Sequence, residues 1–333
     1  MQDWKRQLMT QPNKQAMPIM THPGIELIGK RVIDAVTDGE VQFQAIRAVA
    51  ENYPVAASTM IMDLTVEAEA FGCPINFSDH EVPSVSGRLV NNYLSVGKLA
   101  VPSLQKGRVP QYLKAARLAS EGITDRPVFG GCIGPFSLAG RLFDMTEIMT
   151  EIFLVPETIE ALLKKCTTFL LSYIREMKNI GLNGVIMAEP AAGLLDESLC
   201  DRFSSAFVKQ IVEKVQDDHF LFILHNCGNH GHVTRSMIRT GAQGLHFGNS
   251  MDMKRALKEV PGNILVFGNI DPVGMFKMAK PFDLSHMTSA LLETAADHPN
   301  FVLSTGCDTP PGVPVENIHS FFEAVENHSI AMM

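Results

Sequence analysis

The residues of this chain best suited to chemistry are one histidine and two cysteines at the ends of two apolar runs. The run FLFILHNCGN, residues 220–229, contains His225 and Cys227 just before a glycine. Residues two apart in an extended chain point to the same side, so these two side chains would project together. A second apolar run, residues 301–304, is followed closely by Cys307. If both runs are strands that end at one cavity, the three side chains would hold a zinc ion and leave its fourth position open, as catalytic zinc sites do.

Acidic residues end two further apolar runs and are candidate catalytic residues. Glu189 closes the run 184–189 and could be a fourth zinc ligand, a carboxylate that orients His225, a general base or a solvated loop residue. Asp63 follows the apolar run 59–62, where it is either a site residue or the N-cap of the helix predicted to follow. The sequence alone leaves these alternatives open.

Short apolar runs alternate with longer amphipathic stretches along the chain, which is typical of an α/β fold. Eight predicted strands, mostly separated by predicted helices, favour a (β/α)8 TIM barrel, with a doubly wound open sheet as the alternative. The longer intervals between the second and fourth strands leave room for extra helices. We expect a single domain over residues 1–333, with residues 1–16 as a peripheral segment. The predicted strands are 17–22, 55–63, 127–133, 184–189, 220–227, 243–247, 264–269 and 301–306.

Active sites of TIM barrels lie at the carboxyl ends of the strands. Most of the predicted strands end on a polar or metal-binding side chain, so the predicted fold and the predicted site support each other. We therefore expect His22, Asn269 and His246 to bind substrate beside the metal ligands. Asp271, which follows Asn269 closely, is favoured as a helix cap.

The overall composition excludes several classes of protein. The net charge is −8 and there is no basic tract, which argues against nucleic acid as a partner. No apolar run reaches the length of roughly 18 residues that a membrane span needs, and the first residues do not read as a signal peptide. Six cysteines without regular spacing in 333 residues do not indicate a disulfide framework. We expect a cytoplasmic protein whose thiols are available as metal ligands; the oligomeric state leaves no trace in the sequence.

Five segments, taken in order, carry a family resemblance: MDLTVEAEAFG, GPFSLAG, ILHNCGN, GNIDP and STGCDTPPGVPVENI. Together they resemble the uroporphyrinogen decarboxylase superfamily, and within it the methylcobamide:coenzyme M methyltransferase branch. The resemblance runs from about residue 17 to residue 326. It implies a (β/α)8 barrel and a zinc site built from a His-x-Cys pair and a distant cysteine, which correspond here to His225, Cys227 and Cys307.

The decarboxylase branch fits the sequence less well. Its substrate carries many carboxylates, which that branch meets with an arginine-rich motif after the first strand. The corresponding segment here, MTHPGIELIGK, has no arginine before Arg31. Asp63 corresponds to an aspartate that both branches retain, so it does not discriminate between them.

The methyltransferase branch implies transfer of a methyl group between a corrinoid, such as methylcobalamin, and a zinc-activated thiol such as coenzyme M. No cobalamin-binding motif of the Asp-x-His-x-x-Gly type occurs in the chain, so we expect the corrinoid to arrive on a separate corrinoid protein. The alternatives are porphyrinogen decarboxylation, a thiol methyltransferase with a folate donor, and a zinc-storage or corrinoid-pathway protein without catalysis.

Overall fold

A seven-stranded parallel sheet forms the centre of the molecule. The structure is a computed structural model that describes residues 1–331. The strands lie in the sheet in the order in which they follow one another in the chain. This order has no point of reversal, so the doubly wound alternative is wrong. The strands of this sheet are β1 (Ser58–Thr59), β4 (Val128–Ile133), β5 (Gly184–Ala188), β6 (Leu221–Asn226), β7 (Gly244–Phe247), β8 (Leu265–Ile270) and β9 (Phe301–Thr305).

Helices connect the strands and cover the outer side of the sheet. Three helices lie between β1 and β4, and three more between β4 and β5. The 25-residue α10 ends at Ile180 and is followed by Gly181, whose φ of 104° is a left-handed conformation that glycine adopts without strain. The helices are α1 (Gln2–Thr10), α2 (Thr21–Leu27), α3 (Val32–Thr37), α4 (Gly39–Asn52), α5 (Val66–Phe71), α6 (Tyr93–Lys98), α7 (Val109–Gly122), α8 (Pro135–Phe143), α9 (Met145–Leu154), α10 (Pro156–Ile180), α11 (Glu197–Cys200), α12 (Ala206–Val215), α13 (Thr234–Arg239), α14 (Met253–Glu259), α15 (Pro281–Thr294) and α16 (Val315–Ala331).

The predicted strand at 17–22 is wrong. Only Ala16 forms a parallel bridge, to Leu303, and helix α2 begins at Thr21, so His22 lies in a helix and not at a strand end. Met17 N donates to the carbonyl oxygen of Leu303 at 2.8 Å, and Ala56 N donates to that of Ala16 at 2.8 Å. The segment therefore touches both edges of the sheet. Pro18 has no backbone N–H to donate and interrupts the ladder at once.

Two further elements differ from the sequence prediction. The strand expected over 55–63 contains only β1, and its remaining residues lie outside regular strand. Met60 N still donates to Phe129 O at 2.9 Å. A small antiparallel pair, β2 (Ile75–Asn76) and β3 (Ser84–Val85), was not predicted. Two residues are too few to show the alternation of apolar and polar side chains on which such a prediction depends.

Side chains from alternate strand positions point to opposite faces of the sheet. One buried cluster takes its members from every second residue of successive strands, and the residues between them pack with the helices in another cluster. The inner set continues along β6 to His225, along β7 to His246, along β8 to Asn269 and along β9 to Ser304. Its apolar members include Phe129, Ile186, Leu221, Ile223, Leu265, Phe267 and Val302.

Helix α1 belongs to the segment predicted to be peripheral, and it packs against the inner cluster. Leu8 is buried, and Trp4 lies with its ring centroid 5.5 Å from that of Phe129. Trp4 Nε1 donates to the carbonyl oxygen of Ala56 at 3.3 Å. The contacts are with residues near the amino ends of the strands, so α1 covers the end of the sheet away from the predicted site.

Among the helices of residues 1–331, none combines the length and the apolar character needed to cross a bilayer.

Candidate metal centre

His225, Cys227 and Cys307 come together at the carboxyl ends of β6 and β9. One ligand atom from each lies within 4.8 Å of the others. His225 is 2% exposed, and the two cysteines are partly buried. Among the described residues, no other histidine, cysteine or carboxylate joins this group. The spacing and the donor types are those of a site with three ligands and one open position.

The strand geometry explains why these residues meet. His225 is an inner-facing residue of β6, and it lies directly opposite His246 of β7 in the parallel ladder. Cys227 follows two residues later, in the turn after β6, and its sulfur lies in the same cluster. Close approaches then hold the loops together: a Cβ on Gly248 would lie 2.6 Å from the carbonyl oxygen of Cys227, and one on Gly306 would lie 2.4 Å from Asn249 N. Only glycine fits at these two contacts.

A chain of hydrogen bonds fixes the orientation of the His225 ring. The donor and acceptor of each bond in the chain also determine the tautomer of this ring. Ser304 Oγ donates its one hydrogen to the carbonyl oxygen of Met17 at 2.7 Å. The same oxygen must therefore accept from His246 Nε2, 2.9 Å away. His246 Nδ1 is then unprotonated and accepts from His225 Nδ1 at 2.8 Å. His225 Nε2 carries the free lone pair.

His225 Nε2 is the unexplained polar atom of this region. It is buried and accepts no hydrogen bond of normal geometry among the described residues, although the Cys307 thiol interacts with the same ring. A buried nitrogen acceptor without a partner costs free energy, on the order of 1–3 kcal/mol. A metal ion would take up this lone pair, and a hydrogen bond from the second ring nitrogen is the usual support of a metal-binding histidine.

Burial also keeps His246 neutral. The loss of solvation, together with the nearby His225, holds the pKa of His246 well below its ordinary value. A neutral imidazole can accept at one nitrogen and donate at the other, as the chain requires. The candidate substrate-binding role of His246 stays a prediction, and its observed contacts are with His225 and Ser304.

The side chains of Cys227 and Cys307 lie close together and shift each other's pKa in opposite directions. A hydrogen bond from Cys307 lowers the pKa of Cys227 to about 7. The same bond and burial raise the pKa of Cys307. The pair therefore reaches the singly deprotonated form near neutral pH. Metal ligation uses the thiolate form of cysteine, so one of the two sulfurs is ready to bind at neutral pH.

Glu189 lies beside the metal cluster but outside it. Its carboxylate is buried and accepts from Phe136 N at 2.7 Å, from Ser137 N at 2.9 Å and from Ser204 Oγ at 3.1 Å. Burial raises its pKa despite these bonds. Glu189 thus binds the amino end of α8, where the unpaired N–H groups and the helix dipole favour a carboxylate. Its backbone N donates to His225 O at 2.8 Å, so it also supports the ligand strand.

Asp63 belongs to a second polar group at the end of β1. Its side chain is fully buried and forms an ion pair with Arg108, while Tyr112 donates to Oδ2 at 3.1 Å. Oδ1 accepts from the N–H and the hydroxyl group of Thr65. Arg108 Nε also contacts Glu69 at 2.6 Å. Asp63 is therefore held by residues of α7 and of the turn before α5, and it does not cap α5 with its side chain.

The remaining predicted residues have protein partners. His22 Nδ1 lies 2.9 Å from the carbonyl oxygen of Thr309, just after Cys307, whereas its buried Nε2 has no partner. Asn269 Nδ2 donates to the carbonyl oxygens of Gly248 and Met251 at 2.9 and 2.7 Å. It therefore holds the loop that touches Cys227. Asp271 accepts from the N–H groups of Val273 and Gly274 within a turn. In the part of the chain that the structure describes, no helix begins between Asp271 and α15, so the predicted helix cap is wrong and Asp271 stabilises a turn.

Sequence reasoning missed Ser304 and Arg108. Ser304 could have been found, because it lies two residues after the inner-facing Val302 and must share its side of the sheet. Arg108 could not, because it precedes a helix 45 residues beyond Asp63 and no local pattern joins them.

The comparisons with known proteins agree with this arrangement. The family model for uroporphyrinogen decarboxylase (URO-D) matches residues 10–328. The chain belongs to this family. The methylcobamide:CoM methyltransferase MtbA of Methanosarcina acetivorans is 30% identical over 270 residues, which cover 80% of this chain and 78% of the relative. The uroporphyrinogen decarboxylase of Paraburkholderia phytofirmans is 23% identical, over 85% of this chain and 80% of the relative.

Solved structures resemble the whole fold. A methyltransferase from Methanosarcina mazei matches with a TM-score of 0.87 and 24% identity, covering 96% of both chains. A B12-independent methionine synthase from a Shewanella species matches with a TM-score of 0.62 and 12% identity, again over 96% of both chains. The predicted α/β class is confirmed. The resemblance to the superfamily and its methyltransferase branch is also confirmed, and the curated relatives support a methyltransferase enzyme.

Proposed function

We propose that this protein is a zinc-dependent methyltransferase that moves a methyl group between a corrinoid and a thiol such as coenzyme M. The observation that carries the proposal is the buried, unpartnered Nε2 of His225 beside the sulfurs of Cys227 and Cys307. A nitrogen and two sulfurs suit zinc. The names of the methyltransferase relatives supply the reaction class.

His225, Cys227 and Cys307 would hold the ion. Zinc bound there would lower the pKa of a coordinated thiol and so supply a thiolate at neutral pH. With two cysteine thiolates the charge of the site would be near zero, which leaves a bound thiolate electron-rich enough to react. The chain from Ser304 through His246 holds the His225 ring with its lone pair toward the ion.

The reaction itself joins the thiolate sulfur to the methyl carbon. The carbon–cobalt bond breaks, its electron pair stays on the cobalt of the corrinoid substrate, and cobalt(III) becomes cobalt(I). The thiol proton leaves to solvent. The protein contributes by placing the sulfur at the strand ends, where the larger substrate can approach it.

The corrinoid is proposed to arrive on a separate corrinoid protein in the cytoplasm, with the mouth of the sheet as the contact surface. We further propose that the segment at Ala16 and Met17 completes a closed (β/α)8 barrel. The hydrogen bonds from this segment to Leu303 and Ala56, on the two edges of the sheet, support that closure.

The test combines metal analysis with a methyl-transfer assay. Purified protein should contain about one zinc per chain, and it should convert methylcobalamin in the presence of a thiol, as followed through the cobalt absorbance. His225→Ala, Cys227→Ser and Cys307→Ser should each lose zinc and reduce transfer by about a thousandfold or more.

Cys200→Ser is the matched control, because Cys200 is a buried thiol whose contact is with Ser205, away from the cluster. It should keep both zinc and activity. If all three ligand variants retain full zinc, the proposal is wrong. Porphyrinogen decarboxylation by the metal-free protein would instead favour the other branch of the family.

A further inference from the structure

A cavity of about 310 Å³ opens at the carboxyl ends of β4 and β5. Its walls include Ser137 and Arg141 of α8, Asp144 just after that helix, and Pro190 after β5. The volume is at the lower end of the range for small-molecule sites. It suits a compound of a few heavy atoms and is far too small for a corrinoid.

Arg141 is the unusual residue of this cavity. It lies in the last turn of α8 and is only partly exposed. Within residues 1–331, its guanidinium forms neither a hydrogen bond nor an ion pair. Arginine stays charged under these conditions and offers five N–H donors. A largely buried cation without a partner is costly, and proteins normally pair such groups.

The carboxylates that face Arg141 do not neutralise it by contact. Asp63 and Glu67 act on it only through longer-range attraction. Asp63 is already paired with Arg108 and Tyr112. Glu67 bonds to Ile133 N, and burial raises its pKa to about 7.

Asp144 lines the cavity, but its Oδ1 accepts from the N–H groups of Thr146 and Glu147 at the start of α9. The guanidinium donors are thus left for a ligand, and burial without a close anion lowers the pKa of Arg141.

The cavity borders the metal cluster. Pro190 lines it, and a Cβ on Gly228, the residue after Cys227, would lie 3.0 Å from the carbonyl oxygen of Pro190. Ser137 Oγ accepts from Ala191 N at 3.1 Å, which fixes this loop between the cavity and the cluster. The Pro190 segment is therefore shared by the wall of the cavity and the surroundings of the turn that carries Cys227.

We propose that Arg141 binds the anionic group of the thiol substrate and so selects small thiols that carry a sulfonate or a carboxylate. The inference rests on the proposed function. A guanidinium can donate two parallel hydrogen bonds to either group, which gives both attraction and orientation. Arg141 would be a specificity-determining residue that leaves the sulfur free to reach the cluster.

The experiment compares a charged and a neutral thiol of similar size. Wild type, Arg141→Gln and Arg141→Lys are assayed with methylcobalamin and either 2-mercaptoethanesulfonate or 2-mercaptoethanol. In Arg141→Gln, kcat/KM for the sulfonate should fall about 10- to 100-fold, mainly through KM. With the neutral thiol it should change less than about threefold, and Arg141→Lys should be intermediate because it keeps the charge without the planar fork.

Arg175→Gln is the matched control, because Arg175 is an exposed arginine of α10 and the substitution changes the net charge equally. It should behave as wild type with both thiols. A corrinoid phosphate as the true ligand of Arg141 would instead raise KM for methylcobalamin with both thiols, and this result would overturn the proposal. An equal loss with charged and neutral thiol would overturn it too.

Calorimetric binding of ethanesulfonate and of 2-mercaptoethanesulfonate separates failure of this inference from failure of the proposed function. Weaker binding of both anions to Arg141→Gln, with unchanged zinc content, is the expected result. If wild type transfers no methyl group to any thiol, the proposed function fails, yet these binding data still decide the role of Arg141. Binding equal to that of wild type would refute the anion site.

Discussion

Two polar groups lie at the carboxyl ends of the same sheet and differ in how far their hydrogen-bonding capacity is used. The group around Asp63 is satisfied within the protein: both carboxylate oxygens have donors, and Arg108 contacts two carboxylates, the hydroxyl of Thr65 and the carbonyl oxygen of Val36. The group around His225 is not, because Nε2 accepts no hydrogen bond of normal geometry and the two cysteine thiols lie beside it.

The difference indicates that the group around Asp63 stabilises the fold, whereas the group around His225 is arranged to bind a ligand. A buried polar atom without a partner is rare in folded proteins, since it costs free energy and contributes nothing to stability. The satisfied group, whose Asp63 and Arg108 side chains are both buried, is accounted for by its contacts with α7 and with the turn before α5. The catalytic role of Asp63 stays a prediction, because these structural contacts account for the residue without it.

The largest effect should come from breaking the satisfied group. Arg108→Met would leave Asp63 buried and uncompensated, so we expect a loss of about 3–5 kcal/mol in the free energy of unfolding. Chemical denaturation measures it. If the two groups are independent, Arg108→Met should keep its zinc under conditions where it remains folded.

Arg202→Gln is the control for this change, because Arg202 forms an exposed ion pair with Glu160. Exposed pairs contribute about 0–1 kcal/mol, so the control should be close to wild type. Loss of zinc in Arg108→Met at temperatures where the protein is folded would show that the two groups are coupled, and the comparison would no longer hold.

Glu67 lies near the satisfied group without belonging to it: Asp63 acts on it electrostatically, and one of its own oxygens is buried without a partner. Burial raises its pKa from 4.5 to about 7 in the folded protein. The folded state therefore binds this proton more tightly than the unfolded state does. The free energy of unfolding should fall as the pH rises from about 4.5 to about 7, by roughly 3 kcal/mol, and should not fall further for this reason above pH 7.

Glu67→Gln cannot titrate, so its unfolding free energy should lack this decrease. Denaturation series at several pH values between 5 and 8, run on both proteins, give the difference. Parallel curves would mean that Glu67 titrates at its ordinary pKa in the folded protein.

The smallest of the three effects concerns the support of the metal ligand. Ser304→Ala removes the acceptor of His246 Nε2 and so loosens the tautomer and orientation of His225. We expect about a tenfold weaker affinity for zinc with little change of fold. Competition with a chromophoric chelator measures the affinity.

Thr294→Ala is a control, because its hydroxyl bonds only within α15. Unchanged zinc affinity in Ser304→Ala would show that the chain from Ser304 does not set the His225 ring.

Much of this site can be predicted from the sequence alone. The period of two along β6, continued into the turn after it, predicts that His225 and Cys227 project together. The apolar runs identify six of the eight predicted strands with small errors at their ends. Local rules suffice there, because each pattern extends over four or more residues of a single buried strand. They fail at 17–22, where a proline interrupts strand pairing although the segment is apolar. They also fail at β1, where only two residues pair with the next strand.

The tertiary structure decided what the sequence left open. Asp63 could have been a site residue or a cap, and the choice was made by Arg108, which folding brings to it from far along the chain. Glu189 had four possible roles, and the amino end of α8 binds both of its oxygens. The sequence determines which faces are buried, because side-chain direction follows from local backbone geometry. Which buried polar atoms are satisfied depends on partners distant in sequence, and only the packed fold contains that information.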